Sequence, residues 1–231
     1  MYFMYGLDNI VTMFLIVIGF FIVLYAQMRI SSAYHKYLLK ENHLKINGCE
    51  VARKILDKNG LDSIYVVEVK GTLTDHYDPS RKVVRLSTEV FHGTSIASLA
   101  IAAHECGHAI QDKENYTFMR VRAALVPVVN FISYLGYFSL IVSIIGGLTG
   151  YIKLSILILL ATIIFQLITL PVEFDASKRA KREVEQLKLS NSIEDVADML
   201  QAAAFTYVAS LISSILSLLR LILILNQNDD R

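Results

Sequence analysis

The sequence predicts a mainly α membrane protein, with three to four transmembrane helices and a small α+β domain facing water. Two observations carry this expectation. The 231 residues are 54% apolar and 19% charged, with a mean hydropathy of +0.48, whereas soluble domains run at about 45–50% apolar and about 25% charged. Four stretches of 19 to 30 residues hold no Asp, Glu, Lys or Arg, and about 20 helical residues cross a hydrocarbon core of about 30 Å. Such a composition excludes global disorder. A net charge of +1 and the absence of Trp supply neither the field nor the stacking platform for nucleic acid, so no nucleic-acid partner is expected. Cys49 and Cys106, the two cysteines, stand in no paired spacing, which argues against a disulfide scaffold and a thiolate-only zinc site.

The elements follow in order. Residues 1–28 are an N-terminal transmembrane anchor, charge-free from Asn9 to Met28; without a basic leader or a small-x-small site it is expected to stay uncleaved. Residues 29–122 form the water-facing α+β domain. There Cys49 to Lys58 reads as a short amphipathic helix, with Val51, Ile55 and Leu56 on one face and Asn59-Gly60 as its stop. Ile64 to Val69 and Lys82 to Leu86 read as strands on either side of a polar loop, Gly71 to Pro79. Thr94-Ser95 offers an N-cap to a helix reaching Gln111; its charge-free run, 14 residues from Val90 to Ala103, is too short to span and predicts a buried helix near the membrane surface. Residues 123–172 are a transmembrane helical hairpin, spanning about 124–145 and 153–170, turned at Gly146, Gly147 and Gly150. Residues 173–198 return to water. Residues 199–225 make a last membrane helix, where Ser210, Ser213, Ser214 and Ser217 lay a small polar stripe suited to close helix packing.

Positive charge orients this bundle. No Lys or Arg precedes the first span and seven follow it between Arg29 and Lys58; Arg120 and Arg122 precede the second span, and Lys178, Arg179, Lys181 and Arg182 follow the third. The water-facing domain is therefore expected on the cytoplasmic side of the plasma membrane, with the N-terminus outside.

The chemistry is concentrated at His104-Glu105-Cys106-Gly107-His108, an H-E-x-x-H motif. Imidazoles at i and i+4 lie about 40° apart around a helix and about 6 Å apart along it, so both reach one Zn²⁺ from one face, with the glutamate at i+1 beside them as a general base. Two paired core histidines would leave unexplained an ionisable Glu105 among Ala, Ile and Leu. A catalytic zinc site needs a third protein ligand. Glu173, Asp175 and the cluster Glu194, Asp195 and Asp198 are the candidates. Glu173 is favoured, because it emerges just beyond Pro171 at the end of the third span, where a carboxylate is costly unless something positive neutralises it; the alternative is an interfacial pair with Lys178 or Arg179. Glu194 and Asp195 read better as first-turn residues of the last helix behind Ser192.

Four segments together resemble a known family: His104-Glu-Cys-Gly-His-Ala-Ile-Gln111, Leu73-Thr-Asp-His-Tyr-Asp-Pro79, Val83-Val-Arg-Leu-Ser87 and Leu170-Pro-Val-Glu-Phe-Asp-Ala-Ser177 are similar to the bacterial YugP-like neutral zinc metallopeptidases of the membrane. The resemblance runs from about Gln27 to Arg220. It implies a zincin-like domain of gluzincin type, with His104 and His108 on zinc, Glu105 as base and Glu173 as third ligand, and a layout akin to the HtpX and CAAX-prenyl endopeptidases. One departure is plain. Many gluzincins carry Asp four residues after the ligand Glu, where it supports a zinc-bound His; here that position is Ser177, and Asp175 at +2 projects about 200° away on a regular helix. Either Ser177 takes over this support, or a bend after Pro171 swings Asp175 inward.

His76, Tyr77 and Tyr207 are candidate donors to a developing oxyanion; the plainer readings are an Asp-Pro turn for the first two and a packed aromatic for the third. Cys106 reads as a core thiol, Gly107 as a point of close backbone approach, and His35, His43 and His92 as surface residues. The whole points to a zinc-dependent membrane endopeptidase acting on protein or peptide substrates, membrane proteins included, with the bilayer as its other partner; no feature sets an oligomeric state. The strand from Lys82 to Leu86 is the expected edge for an extended substrate. Rival readings are an intramembrane protease of the site-2 type, whose Leu-Asp-Gly motif is missing here, and a metal-binding scaffold or transporter subunit, for which Glu105 has no use.

Overall fold

The computed structural model describes residues 2–146 and 152–229. In chain order the elements are α1 (Tyr2–Leu38), α2 (Gly48–Lys58), β1 (Tyr65–Val69), β2 (His76–Asp78), β3 (Val83–Ser87), α3 (Thr88–His92), α4 (Ile96–Lys113), α5 (Thr117–Gly146), α6 (Ile152–Gln186) and α7 (Ile193–Asp229). Among the described residues, four helices are long and apolar enough to cross a membrane, Ile10–Leu38, Thr117–Leu135, Lys153–Gln186 and Ile193–Asn226. The protein is thus a mainly α membrane protein with a small sheet. The turn read at Gly147 and Gly150 lies outside the described residues.

Two compact units arise from this order. The first gathers the chain up to Gln27, Val121–Leu170 and the chain from Thr206; the second gathers Met28–Arg120 and Pro171–Phe205. In the first, α1 and α7 meet through small residues: a Cβ on Gly19 would lie 3.2 Å from Ser213 Oγ. Ser210 and Ser217 hydroxyls donate to Thr206 and Ser213 carbonyls at 2.9 and 2.8 Å, so these two serines are satisfied within their own helix and present little bulk.

The second unit is built on α2, α4 and the sheet. Asn47 opens α2 with a reciprocal capping box, accepting from Glu50 N while Glu50 accepts from Asn47 N. Val51, Ala52, Ile55 and Leu56 then turn inward, fully buried, and Gly60, at φ +61, ends the helix in a conformation that suits glycine. Ser95 caps α4 by accepting from Ser98 N. From Ile96 to Gln111 only Ile101 and His104 escape full burial. Ile96, Leu99 and Ile110 are each within 1% of complete burial, worth about 1.5–3 kcal/mol apiece relative to exposure.

The structure departs from the sequence reading at four points. The loop between the two expected strands contains a third, β2, and a single helical turn, α3, follows β3. The sheet order is β1-β3-β2, with β3 parallel to β1 and antiparallel to β2. β3 is therefore central, its hydrogen-bonding edges both taken, and has no free edge for an extended substrate. Finally, the long helices run past the boundaries at 28, 172 and 198: α6 continues through Pro171 to Gln186. Proline there costs an intrahelical bond, but the segment beyond it is held by packing, with Val172, Ala176, Ala180 and Val184 fully buried.

Candidate metal centre

Two helices of the second unit supply the site. On α4, the spacing of four residues stacks His104 and His108 on one face, ring centroids 4.8 Å apart. On α6, Glu173 faces them and is 2% exposed. Its Oε2 lies 3.2 Å from His104 Nε2 and 3.6 Å from His108 Nε2. Two donors at about 2.0–2.2 Å from a tetrahedral ion stand about 3.3–3.6 Å apart, so this donor set of two imidazoles and a carboxylate fits zinc. The ligand atoms of all three residues lie within 4.8 Å of one another.

Close approach of the two helices depends on Gly107, on the histidine side of α4: a Cβ there would lie 2.5 Å from the carbonyl oxygen of Ala176. Burial alone would lower the His108 imidazole, but its contact with Glu173 and the negative Glu105 and Glu173 carboxylates outweigh this and raise it above the ordinary value.

Both imidazoles are held from behind. Ser177 Oγ lies 3.2 Å from His104 Nδ1, one turn after Glu173. His108 Nδ1 lies 3.0 Å from Gln111 Oε1, and Gln111 Nε2 donates to Val172 O at 2.8 Å and Asp175 Oδ2 at 2.9 Å. Arg179 Nε donates to Asp175 Oδ2 at 2.5 Å, and its Nη1 to Glu114 Oε2 at 2.6 Å. Arg179 thus pairs with Asp175 and Glu114 rather than with Glu173. The sequence reading passed over Gln111; its place three residues after His108 was visible, but its partners on α6 were not.

Glu105, 8% exposed, turns toward the sheet, where Tyr77 N donates to its Oε2 at 2.9 Å. The Tyr77 hydroxyl donates to Asp112 at 2.7 Å, and burial together with that carboxylate pushes the phenol above its usual range. Lys82 also pairs with Asp112. His76 is exposed, its Nδ1 2.8 Å from Thr74 O. Tyr207 is part of the first unit. Cys106 is fully buried, its thiol 3.6 Å from Ala52 O and pushed up by burial, which makes it an inert core residue. Asp195 pairs with Lys40, and Asp198 accepts from Tyr37 at 2.7 Å; these carboxylates tie α7 to α1 and its extension. His35, His43 and His92 are exposed.

Membrane helices in one unit and, in the other, a His-His-Glu group on an H-E-x-x-H helix define a membrane protein of the zinc-metallopeptidase class. The chain belongs to the family described as "Putative neutral zinc metallopeptidase", whose model matches residues 12–226. It is 44% identical over 209 residues, 89% of this chain and 93% of the relative, to "Putative membrane protease YugP" of Bacillus subtilis (strain 168). No solved structure matches the chain.

Proposed function

We propose that this protein is a membrane-anchored endopeptidase of gluzincin type, which hydrolyses peptide bonds of protein or peptide substrates at the cytoplasmic face of the plasma membrane. The observation that carries the reading is the juxtaposition of Glu173 with both motif histidines, with Glu105 beside them and outside the donor set. His104, His108 and Glu173 would hold the zinc. When bound, zinc supplies Lewis acidity toward water and toward the scissile carbonyl. Glu105 takes the proton of the attacking water and delivers it to the leaving amine. The Tyr77 N–H fixes Oε2 of Glu105, leaving Oε1 for proton transfer. Because β2 is an outer strand of the sheet, its free edge is the edge for an extended substrate, in place of β3. The cytoplasmic orientation is supported by the Lys and Arg of residues 29–58, 120–122 and 178–182.

The test is zinc content and casein or membrane-peptide cleavage by the purified full chain. Wild type should bind one zinc and cleave; His108→Ala should lose both. Glu105→Gln keeps size and shape but cannot accept a proton, so it should retain zinc within about twofold and lose turnover by about 10²–10⁴-fold. A Glu105→Gln variant as active as wild type would overturn the assignment of the base, and a wild type that binds no zinc would overturn the reading as a whole.

A further inference from the structure

The contacts behind His108 form a directed chain whose polarity is fixed at its far end. Val172 O and Asp175 Oδ2 are both acceptors, and both lie within hydrogen-bond distance of the same end of the Gln111 amide, at 2.8 and 2.9 Å. Only an NH2 group satisfies two acceptors at once. The amide oxygen must then face His108, at 3.0 Å from Nδ1. An amide oxygen only accepts, so Nδ1 carries a proton and donates it. Nε2, the atom 3.6 Å from Glu173, is then the nitrogen that offers its lone pair when a metal occupies the site. Gln111 is fully buried, so no water competes for either end of its amide. Asp175 is itself aimed by Arg179, at 2.5 Å, and among the described residues it forms no hydrogen bond or ion pair with either histidine.

We propose that Gln111 is a positioning residue that locks His108 in its metal-binding tautomer, and that Asp175 acts on the metal group solely through Gln111. The inference rests on the zinc-site reading above. It answers the departure noted in the sequence: the acidic residue stands two positions after Glu173 rather than four because it addresses His108 through an amide, while Ser177, at the usual position, faces His104. The side chain of Asp175 needs no bend in α6 to take this part. Support of a ligand by an outer partner is commonly worth 10–100-fold in metal affinity, and here that support is divided between two residues in series.

The test is zinc affinity of the full chain in detergent, measured by competition with a chromophoric chelator, with the Co²⁺-substituted absorption spectrum as a second readout. Wild type and His108→Ala come first: a wild type without stoichiometric zinc overturns the zinc-site reading itself. Given zinc in wild type, Gln111→Met should weaken it about 10–100-fold. Asp175→Asn should weaken it too, though by less, because an amide whose NH2 faces Gln111 no longer accepts there and leaves Val172 O alone to hold the Gln111 amide in place. The decisive variant is Gln111→Met with Asp175→Asn, which should bind zinc no worse than the weaker single variant and share its Co²⁺ spectrum. Losses that multiply in the double variant, or wild-type affinity in Asp175→Asn, overturn the relay. Thermal melts under excess chelator identify any variant that fails to fold; if Gln111→Met does, Gln111→Leu with Asp175→Asn replaces it in the cycle.

Discussion

Gly107 packs backbone to backbone against Ala176: a Cβ at residue 107 would lie 2.5 Å from the Ala176 carbonyl oxygen. Three residues before Ala176 in the same helix is Glu173, so the gap that Gly107 leaves open sets the distance from Glu173 to His104 and His108. Gly107→Ala should force α4 and α6 apart, cost about 1–3 kcal/mol as overpacking does, and lower zinc content in parallel. Gly60→Ala is the contrast. Gly60 stands at φ +61 with only the end of Lys113 nearby, so the change should cost about 1 kcal/mol of strain and leave zinc untouched. Zinc analysis with melting curves reads both; equal zinc loss in the two variants would deny Gly107 its part.

Ser177→Ala removes the contact at 3.2 Å from His104 Nδ1. Zinc affinity should fall about tenfold, at the lower end of what lost outer partners cost. Ser177→Asp should do the opposite, since a carboxylate one turn after Glu173 is a stronger acceptor for that imidazole. A titration against chelator in which Ser177→Asp bound more weakly than Ser177→Ala would mean that the hydroxyl donates to His104 rather than accepting from it.

Zinc removal should destabilise the fold, because the three ligands join α4 to α6. Saturation at about a hundredfold over Kd is worth about 2.7 kcal/mol, so adding a chelator should lower the melting temperature of wild type. In Glu173→Ala that chelator-dependent shift should vanish. A full shift in this variant would remove Glu173 from the ligand set and promote another carboxylate.

Lys58 and Asn59 reach the buried Glu183, at 2.8 and 3.2 Å, and tie the end of α2 to α6. Lys58→Met leaves that carboxylate, 3% exposed, with a weaker partner. The Lys58 side chain is itself 32% exposed, so the loss should be on the order of 2 kcal/mol, below the roughly 3–5 kcal/mol of a fully buried pair. Thermal melts with and without zinc check it, and the same loss should appear in both.

Reporters fused within 40–60 and within 180–190 should both be cytoplasmic, since these segments belong to one compact unit and carry the positive charge; one fused within 147–152 should be outside. Opposite sides for the first two would contradict the fold itself.

What could be read in advance was what is local in the chain. The H-E-x-x-H geometry depends on one helical turn, the Ser95 cap lies next to its helix, and the inward face of α2 repeats at helical spacing. The sequence favours Glu173 over Asp175 by its place just beyond Pro171 and by the cost of a carboxylate there, and the structure sets Glu173 against the histidines and Asp175 against Gln111. What escaped was non-local. β2 is three residues of polar character that become a strand only by pairing with β3, and that pairing is what makes β3 central. α3 is a single turn without a side-chain cap bond. Gln111 looks like any polar residue near a helix end until α6, some 60 residues later, brings Val172 and Asp175 against it. Pro171 marks the end of the third span in the sequence but neither ends its helix nor tells that Thr169 and Val172 on either side of it are buried.

The division of the donor set between α4 and α6 also has a meaning in time. His104 and Glu173 are 69 residues apart, and a ribosome adds about 5–20 residues each second. For several seconds of every synthesis the nascent chain carries the two motif histidines with no third donor. The donor set thus stays incomplete until the chain has been made as far as Glu173, and a chain truncated or stalled before that point lacks its third metal donor.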